Sequence, residues 1–521
     1  MIGAQALVGS LAGAGVDVCF MNPGTSEMHF VSALDSVPEM RGVLALFEGV
    51  ATGAADGYAR IAGKPAAVLV HLGPGLANGL ANLHNARRAR TPVVVIVGAH
   101  ATGHARYDAP LQSDIEALAR TVSGWVHTSG TARDLAQDAM RAVAAARAGQ
   151  VATLVLPADV SWSDGAAIAP PRAPAVAPGP VPALAHLLSS RAMLLLGGTA
   201  LSERGLRAAS RISVATGTRL LAETFPARME RGAGVPGVDR LAYLAEQAEA
   251  QLAGVDHLIL AGARSPVSFF AYPGRASDLA PGSGAVLAEP DQDVEAALDL
   301  LADQVAAGTK PLLTEAAPPP PADPGPLDAI SLANTVAASL PEHAIIADEA
   351  NTSGYALPMA LAAAPRHTLL TLTGGAIGQG MPVATGAAVA APERPVLSLE
   401  ADGSALYTIQ ALWTQARERL NVTTVLINNA AYAVLRMELA RTQADRTGVG
   451  HAGERAERML DLSDPTPDFT QLSTGLGVPA RRVTTVAELD RALRLAYAES
   501  GPHLIEAIVP PVFPPPSAGA W

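Results

Sequence analysis

The 521-residue sequence contains a single cysteine, Cys19. One thiol cannot form a disulfide within the chain, and it cannot build a metal site that needs several cysteines. Two classes are therefore excluded: a scaffold that is held together by internal disulfides, and a protein with a cysteine-built metal centre.

Basic residues are also scarce, with 36 Lys and Arg against 48 Asp and Glu and a formal net charge of −12. This balance argues against a nucleic-acid backbone or an anionic membrane surface as a partner. The first basic residue is Arg41, so the apolar beginning lacks the positive region of a signal peptide. We interpret that beginning as a helix over 3–14 followed by a short strand over 16–21. No uncharged stretch is apolar enough to span a bilayer, and a cytoplasmic location is expected.

Charged residues make up only 16% of the chain and hydrophobic residues 49%, which excludes a disordered protein. The length exceeds what one core can hold, so two to four domains are expected. Two proline-rich stretches, 169–183 and 314–326, are interpreted as linkers because proline cannot join a helix interior or a central strand. The predicted domains cover 1–165, 183–312 and 328–521.

Short apolar runs alternate with alanine-rich helical stretches in all three blocks. Continuous apolar strands are typical of parallel sheets that are covered on both faces. The sequence therefore predicts an α/β fold of three doubly wound parallel-sheet domains, with ligands beyond the carboxyl ends of the strands. The predicted strands are VDVCFM, GVLAL, AAVLVH, TPVVVIVGA and VATLVLP, then AMLLLGG, TRLLAE and HLILAGA, then AIIADEA, VLSLEAD, TTVLINN and HLIEAIV.

Polar residues follow two consecutive predicted strands of the third block. Asp402 to Ser404 end one strand, and Asn428 and Asn429 end the next. Parallel strands end at the same edge of a sheet, so a carboxylate and an amide oxygen are expected to converge there. Such oxygens suit Mg²⁺ or Ca²⁺, and Mg²⁺ commonly holds a diphosphate. Ser404 and the start of the following helix offer donors to phosphate oxygens.

The stretch EADGS…INNAAYAVLR, 400–436, resembles the thiamine-diphosphate motif that is usually written GDGS…NN. The whole chain resembles the benzoylformate decarboxylase and acetolactate synthase superfamily. Members of that superfamily have a pyrimidine-binding domain, a middle domain and a diphosphate-binding domain, in the order of the three blocks. Ala401 departs from the pattern, because the family usually has glycine there, and a methyl group fits only if φ is negative.

The resemblance implies a set of cofactor and metal ligands near this motif. The side chains of Asp402 and Asn429 and the carbonyl of Ala431 would bind Mg²⁺. Gly403, Ser404 and Tyr432 would belong to the thiamine-diphosphate site.

Two further stretches match positions that contact the cofactor in this family. In LTGGAIGQGMP, 372–382, Gly375 would offer its carbonyl to the aminopyrimidine, and Ile377 would be the apolar wedge that bends the cofactor. In DEANTSGYA, 348–356, Asn351 and Thr352 are the expected diphosphate contacts.

Glu48 lies in LALFEGVATGAADGYARIAGKP, 44–65, among small and apolar residues where a charge is unexpected. In the resembling family, a glutamate in this segment hydrogen-bonds the aminopyrimidine ring and drives formation of the reactive thiazolium ylid. A buried carboxyl suits this proton exchange. The alternative is a buried glutamate that is tied to a structural partner.

Three residues are expected to handle substrate. Thr25, in MNPGTSE, matches a hydroxyl that contacts the substrate carboxylate in the decarboxylases. His71 ends the strand VLVH and matches the active-site histidine of benzoylformate decarboxylases, which transfers protons. Gln112, in YDAPLQSD, loosely matches a glutamine that lines the site of acetolactate synthases.

The middle domain departs from the decarboxylase pattern. Benzoylformate decarboxylases have a second histidine in the segment that here reads GARSPVSFFAYPG, 262–274, where Phe269 or Phe270 falls nearest. The loss of a proton donor disfavours aldehyde release and favours transfer to a second carbonyl compound. Acetolactate synthases bind FAD in this domain, but LLLGGTALSERG, 194–205, lacks the G-x-G-x-x-G pattern, and the sequence gives FAD no support.

The resemblance thus predicts a thiamine-diphosphate- and Mg²⁺-dependent enzyme that decarboxylates a 2-oxo acid and performs carboligation. The alternatives are a decarboxylase that releases an aldehyde, an FAD-dependent 2-oxo acid oxidase, and a non-catalytic paralogue. Family members build each site from two subunits, so a homodimer or homotetramer is expected. The tail, 510–521, is expected to fold over the site, because it carries the large apolar Phe513 and Trp521.

Overall fold

The computed structural model describes residues 1–171, 183–272, 274–320, 323–447 and 453–511, and over 443–447 it describes the backbone only. The strands form three sheets that are flanked by helices, which confirms the predicted fold of three α/β domains. Within the described ranges, no helix is both long and apolar enough to cross a membrane.

The N-terminal domain contains a six-stranded sheet and seven helices. Its strands are β1 (Val18–Asn22), β2 (Arg41–Leu44), β3 (Ala66–Val70), β4 (Val93–Ala99), β5 (Trp125–Thr128) and β6 (Val151–Pro157). Its helices are α1 (Gly3–Gly13), α2 (Met28–Ala33), α3 (Glu48–Ala62), α4 (Leu72–Ala89), α5 (Ile115–Arg120), α6 (Ala132–Arg147) and α7 (Ala158–Trp162). The strand order is β2-β1-β3-β4-β6-β5, and all neighbours are parallel.

The middle domain is built around a smaller parallel sheet. Its segment contains β7 (Ala192–Leu196), β8 (Arg219–Ala222), β9 (Met229–Arg231), β10 (His257–Ala261) and β11 (Ser283–Ala288), with α8 (Glu203–Thr216), α9 (Ala245–Leu252) and α10 (Val294–Val305). The sheet order is β11-β10-β7-β8, so β9 takes no part in this sheet.

The C-terminal domain has a seven-stranded sheet. Its own strands are β12 (Ala344–Glu349), β13 (His367–Thr371), β14 (Val396–Ala401), β15 (Val422–Asn428), β16 (Ala480–Val483) and β17 (His503–Ile508). Its helices are α11 (Ala329–Ser339), α12 (Leu357–Ala360), α13 (Gly380–Ala390), α14 (Asp402–Thr408), α15 (Ala411–Glu418), α16 (Ala433–Thr447), α17 (Glu454–Glu457), α18 (Phe469–Gly475) and α19 (Val486–Ala498). The order is β16-β17-β15-β14-β12-β13-β9, in which β9 joins antiparallel to β13, so the middle segment lends a strand to this sheet.

All twelve predicted strands are present, and α1 begins at the predicted residue. Five strands were not predicted: β5, β9, β11, β13 and β16. Most of these are short or lie at a sheet edge, where one half of the backbone is unpaired and side chains need not be continuously apolar. The region predicted as one helix between Asp402 and Asn428 contains two, α14 and α15.

The N-terminal and C-terminal domains share one core, because α3 packs directly against α13. A Cβ at position 57 would lie 2.1 Å from Val383 O, and a Cβ at position 386 would lie 1.8 Å from Ala54 O. Only glycine permits these two close approaches. The small residues that surround Glu48 in the sequence are therefore there for contact between domains.

His367 provides a test of the packing at β13. It is buried, its Nδ1 donates to Pro365 O at 2.8 Å, and its Nε2 has no hydrogen-bond partner among the described residues. Burial lowers the pKa of His367 from its usual 6.5 to about 4. Between pH 6.5 and pH 4, the unfolded chain binds a proton at His367 and the folded protein does not. The free energy of unfolding therefore decreases as the pH falls through this range.

The loss is expected to reach about 3 kcal/mol by pH 4. Thermal unfolding from pH 7 to 4 should therefore show a smaller decline in Tm for His367→Gln than for the wild-type protein. The exposed His343 serves as the matched control, and His343→Gln should follow the wild-type curve. Parallel curves for all three proteins would contradict the prediction.

Candidate active site

The predicted site residues lie at the carboxyl ends of strands and form two groups. The C-terminal group consists of Asn351, Asp402, Ser404 and Asn429, which follow β12, β14 and β15. The N-terminal group consists of Glu48, His71 and their neighbours, which follow β2 and β3. Among the described residues of one chain, no hydrogen bond joins the two groups.

Asp402 is the first residue of α14 and is almost fully buried. Its Oδ1 accepts a hydrogen bond from Gly403 N at 2.8 Å, and its Oδ2 accepts one from Asn429 N at 3.1 Å. Burial raises the pKa of Asp402 to about 6, although the backbone N–H donors act in the opposite direction. The convergence of the two strand ends follows from the parallel register of β14 and β15, which pairs Ala401 with Ile427.

Asn429, the second predicted metal ligand, lies beside Asp402. Its Oδ1 accepts from Ala431 N at 3.0 Å, and its Nδ2 donates to Ser353 Oγ at 2.9 Å. The described residues contain no group of three or more His, Cys, Asp and Glu side chains that could hold a metal ion. The buried Asp402 carboxylate has neutral oxygens nearby and no bonded cationic side chain among the described residues. This donor set nevertheless fits Mg²⁺ when phosphates supply further ligands.

The diphosphate side of this group is equally well defined. Asn351 Nδ2 donates to Ser404 Oγ at 2.9 Å, and Thr352 is buried beside them. A Cβ at position 403 would lie 2.5 Å from Tyr432 Cε1, so the Tyr432 ring covers Gly403. These residues offer hydroxyl and amide donors around the start of α14.

Ala401, the departure from the family pattern, adopts φ −81°. This negative value meets the condition under which a methyl group is tolerated at that turn. The extra Cβ therefore does not distort the chain at Asp402.

The loop 374–379, before α13, carries Gly375 and Ile377. Gly375 has φ +75°, which favours glycine. A Cβ at position 375 would lie 2.9 Å from Phe269 Cζ, so the aromatic ring sits directly on this glycine. Phe269 thus brings the middle domain to the loop that is expected to contact the cofactor.

Glu349 anchors the same loop and was not singled out from the sequence. It is buried at the end of β12 and accepts hydrogen bonds from the backbone N–H groups of Gly378, Gln379 and Gly380. Burial raises the pKa of Glu349 to about 7, against the effect of these donors. Glu349 is two residues before Asn351, so it connects this loop with the predicted diphosphate donors.

Glu48 is the first residue of α3 and is 8% exposed. Its Oε2 accepts a hydrogen bond from Asn78 Nδ2 at 3.0 Å. A Cβ at position 75 would lie 3.2 Å from Glu48 Oε1 and 3.6 Å from His71 Cβ. Gly75 therefore lets Glu48 and His71 approach the same point.

His71 has a carboxylate partner that the sequence did not reveal. His71 Nδ1 lies 2.8 Å from Glu27 Oε2, which also accepts from Gly24 N at 2.7 Å. Glu27 is fully buried, and burial raises its pKa, although the Gly24 N–H and His71 lower it. A carboxylate on Nδ1 fixes the tautomer of an imidazole and leaves Nε2 for the site. Glu27 lies five residues after the end of β1, and no local pattern in the sequence pairs it with His71.

Replacing Glu27 with glutamine should lower kcat about 10-fold to 100-fold, because His71 loses the group that orients it. The plot of log kcat against pH should also change, since the variant removes a carboxyl whose pKa burial raises. Glu39→Gln, which removes an exposed carboxylate of the same domain, is the control. An unchanged pH profile in Glu27→Gln would show that the pair is structural.

Thr25 and Gln112 lie farther from these contacts. Thr25 is exposed, next to Gly24, and Gly24 packs on the His71 ring, since a Cβ there would lie 2.2 Å from His71 Cγ. Gln112 lines a cavity of about 500 Å³ at the ends of β4, β5 and β6. The structure thus places Thr25 beside His71 but gives Gln112 no contact with Glu48 or His71 among the described residues.

The segment that lacks the second histidine forms an aromatic cluster. The ring centroids of Phe269 and Phe270 are 4.9 Å apart, and Phe269 also contacts Tyr243 at 5.0 Å and Phe225 at 5.9 Å. Phe269 contacts Gly375, whereas Phe270 packs on Phe269. Residues 512–521 of the predicted covering tail, which include Phe513 and Trp521, lie outside the described residues.

Comparisons with known protein families agree with this arrangement. Residues 1–119 match the N-terminal thiamine-pyrophosphate-binding domain of thiamine pyrophosphate enzymes. Residues 350–507 match the C-terminal thiamine-pyrophosphate-binding domain of the same enzymes. The two matches together cover more than half of the chain.

Individual relatives are similar along nearly their whole length. A Mycobacterium tuberculosis protein named "Putative acetolactate synthase large subunit IlvX" is 61% identical over 518 residues, which are 98% of this chain and 99% of the relative. Benzoylformate decarboxylase of Pseudomonas aeruginosa is 29% identical over 94% of this chain and 96% of its own. The solved structure of Rhodococcus jostii thiamine diphosphate-dependent 4-hydroxybenzoylformate decarboxylase has a TM-score of 0.82 at 23% identity, over 98% of this chain and 99% of that one, and shows the same fold.

Proposed function

The chain belongs to the thiamine pyrophosphate enzymes, and from this premise we propose that it decarboxylates a 2-oxo acid and transfers the remaining acyl group to a second carbonyl compound. The observation that carries the proposal is that one chain contains both a buried Glu48 in one domain and the adjacent Asp402 and Asn429 in another. Bound thiamine diphosphate supplies the carbon nucleophile and the electron sink that loss of CO₂ requires.

In this proposal the chain's own residues divide the work. Asp402, Asn429 Oδ1 and the Ala431 carbonyl hold Mg²⁺, and the Ser404 and Asn351 side chains bind the diphosphate. Glu48 exchanges a proton with the aminopyrimidine. His71, which Glu27 orients, moves a proton at the substrate, and Thr25 binds the substrate carboxylate. Gln112 stays a proposed lining residue.

We also propose that the working site lies between two copies of the chain, in a homodimer or homotetramer. The separation of the two groups within one chain supports this arrangement. Large apolar side chains near both groups are exposed: Leu46 at 47%, Tyr407 at 53% and Leu435 at 47%. Covering them with a second copy would bury apolar surface. The domain limits 1–165, 183–312 and 328–521 and a cytoplasmic location are proposed from the sequence alone.

Carboligation is favoured over aldehyde release because of Phe269. An aromatic edge has no exchangeable proton, and Phe269 rests on Gly375. The resemblance to benzoylformate decarboxylases implies a histidine in this segment, which this chain lacks. This position therefore supplies no proton, which favours transfer to a second carbonyl compound over release of an aldehyde. The decarboxylase alternative requires His71 or water to supply the proton, and FAD has no support beyond the resemblance.

Product analysis with thiamine diphosphate, Mg²⁺ and pyruvate, 2-oxobutyrate or benzoylformate tests the proposal. We expect CO₂ together with a 2-hydroxyketone or an acetolactate-type acid, and Phe269→His should shift the products towards free aldehyde. Phe270→His is the matched control, since the atoms nearest to Gly375 belong to Phe269, and it should retain the wild-type products. Free aldehyde from the wild-type protein would establish the decarboxylase alternative. A flavin absorption spectrum would indicate the FAD-dependent oxidase. Binding of the cofactor without release of CO₂ would indicate the non-catalytic paralogue.

A further inference from the structure

The loop that carries Gly375 and Ile377 is held by side chains from another domain. Helix α4 of the N-terminal domain runs beside this loop of the C-terminal domain, and three of its side chains bond carbonyl groups of alternate loop residues. The bonds join His84 Nε2 to Gly374 O (3.2 Å), Asn85 Nδ2 to Ala376 O (2.8 Å) and Asn82 Nδ2 to Gly378 O (3.1 Å).

The Asn85 side chain forms hydrogen bonds with both the N–H and the carbonyl group of Ala376. Besides donating to Ala376 O, the buried Asn85 accepts a hydrogen bond from Ala376 N through Oδ1 at 3.2 Å. Its Nδ2 also donates to Asn82 Oδ1 at 3.1 Å. This bond supports the assignment of Nδ2 and Oδ1 in the Asn85 side chain. Both peptide units of Ala376 are therefore fixed by one side chain.

The planarity of the peptide bond transmits this constraint to the neighbouring residues. Ala376 N–H and the Gly375 carbonyl belong to one peptide unit, and in a trans peptide they point in opposite directions. Since the N–H points at Asn85, the Gly375 carbonyl must point away from α4. In the same way, the Ile377 N–H points away from α4, which fixes the backbone at the wedge.

Asn82 links this loop to the catalytic glutamate's helix. Its Nδ2 donates to Gly49 O at 2.8 Å as well as to Gly378 O. Gly49 directly follows Glu48 at the start of α3. The two asparagines therefore connect the segment that carries the wedge with the segment that carries Glu48.

We propose that Asn85, together with Asn82 and His84, is a positioning residue for the cofactor, which sets the direction of the Gly375 carbonyl and the place of Ile377. This inference rests on the proposed function, in which both loop residues contact the aminopyrimidine. None of the three α4 residues needs to touch the cofactor or the substrate.

Asn85→Asp is the primary test, because it keeps the shape and the acceptor for Ala376 N but removes both amide donors. In the variant, a carboxylate oxygen replaces Nδ2 opposite Ala376 O, and repulsion between the two oxygens should change the conformation of the loop. We expect the dissociation constant for thiamine diphosphate, measured calorimetrically with Mg²⁺, to rise about 10-fold to 100-fold. The near-ultraviolet circular dichroism of the bound aminopyrimidine should also change. With saturating cofactor, kcat should fall while KM for the 2-oxo acid is retained.

Thr414→Val is the matched control. The Thr414 hydroxyl donates to Leu44 O at 3.1 Å and so forms another hydrogen bond between the same two domains, away from the loop. This variant should retain the wild-type dissociation constant and dichroism. If Asn85→Asp does not fold, His84→Phe decides, since His84 is only half-buried and the variant loses one bond to the loop.

Wild-type cofactor affinity and dichroism in the folded variants would overturn the inference, even if the enzyme is active. A wild-type protein that binds thiamine diphosphate but releases no CO₂ would contradict the proposed reaction, while the affinity and dichroism measurements would still decide on Asn85. Failure of the wild-type protein to bind thiamine diphosphate would overturn both.

Discussion

Replacing Glu48 with glutamine should lower kcat for CO₂ release by about two to four orders of magnitude. Glutamine keeps the acceptor for Asn78 Nδ2 but cannot exchange a proton with the aminopyrimidine. Thiamine-diphosphate affinity should change much less, since the proposed diphosphate and metal ligands lie in the C-terminal domain. The decisive measurement is the rate of deuterium exchange at the reactive carbon of the bound cofactor, which should fall with kcat.

Glu230→Gln is the matched control for this experiment. Glu230 is also 8% exposed, and it accepts hydrogen bonds from Arg228 and Thr368 away from both groups of site residues. The control should retain both the wild-type kcat and the wild-type exchange rate. Wild-type exchange in Glu48→Gln would identify Glu48 as a structural carboxylate that is tied to Asn78.

Replacing Asp402 with asparagine should weaken Mg²⁺-dependent binding of thiamine diphosphate about 100-fold or more. The variant keeps an oxygen for Gly403 N but loses the only charged ligand of the proposed metal site. Burial raises the pKa of Asp402 to about 6, so burial makes the ionised side chain less stable, and a bound cation would offset that effect. The free protein should therefore keep its Tm, while the rise in Tm that Mg²⁺ and cofactor produce should disappear.

The control for Asp402 is another aspartate at the start of a helix in the same domain. Asp468 caps α18 through Thr470 N and Gln471 N and is remote from the C-terminal group. Asp468→Asn should respond to Mg²⁺ and cofactor as the wild-type protein does. A wild-type rise in Tm for Asp402→Asn would remove Asp402 from the proposed metal ligands.

The strands were predictable where their burial is complete. Strands β3 and β7 are buried along their whole length, so their sequences are unbroken apolar runs. Edge strands such as β5 and β16 carry partly exposed side chains and gave no such signal. β9 could not be assigned to the C-terminal sheet, because its partner β13 is far away in the sequence.

The C-terminal group of site residues was also predictable, since its members follow adjacent strands of one sheet. Asp402 and Asn429 meet because β14 and β15 are parallel neighbours. The contact of Glu27 with His71 was not predictable in the same way. It depends on the loop after β1 folding over the end of β3, which no local pattern encodes.

By itself, the sequence determined the fold class, and it predicted the order of the three domains and the residues that are proposed to carry the cofactor chemistry. Apolar periodicity and short motifs encode these features locally, through burial and through the end of each strand. Only the tertiary structure decided which domain holds the loop of Gly375 and Ile377, and which side chain orients His71. Asn85 and Ala376 are almost three hundred residues apart, and hydrogen bonds over such separations arise from the packing of whole domains.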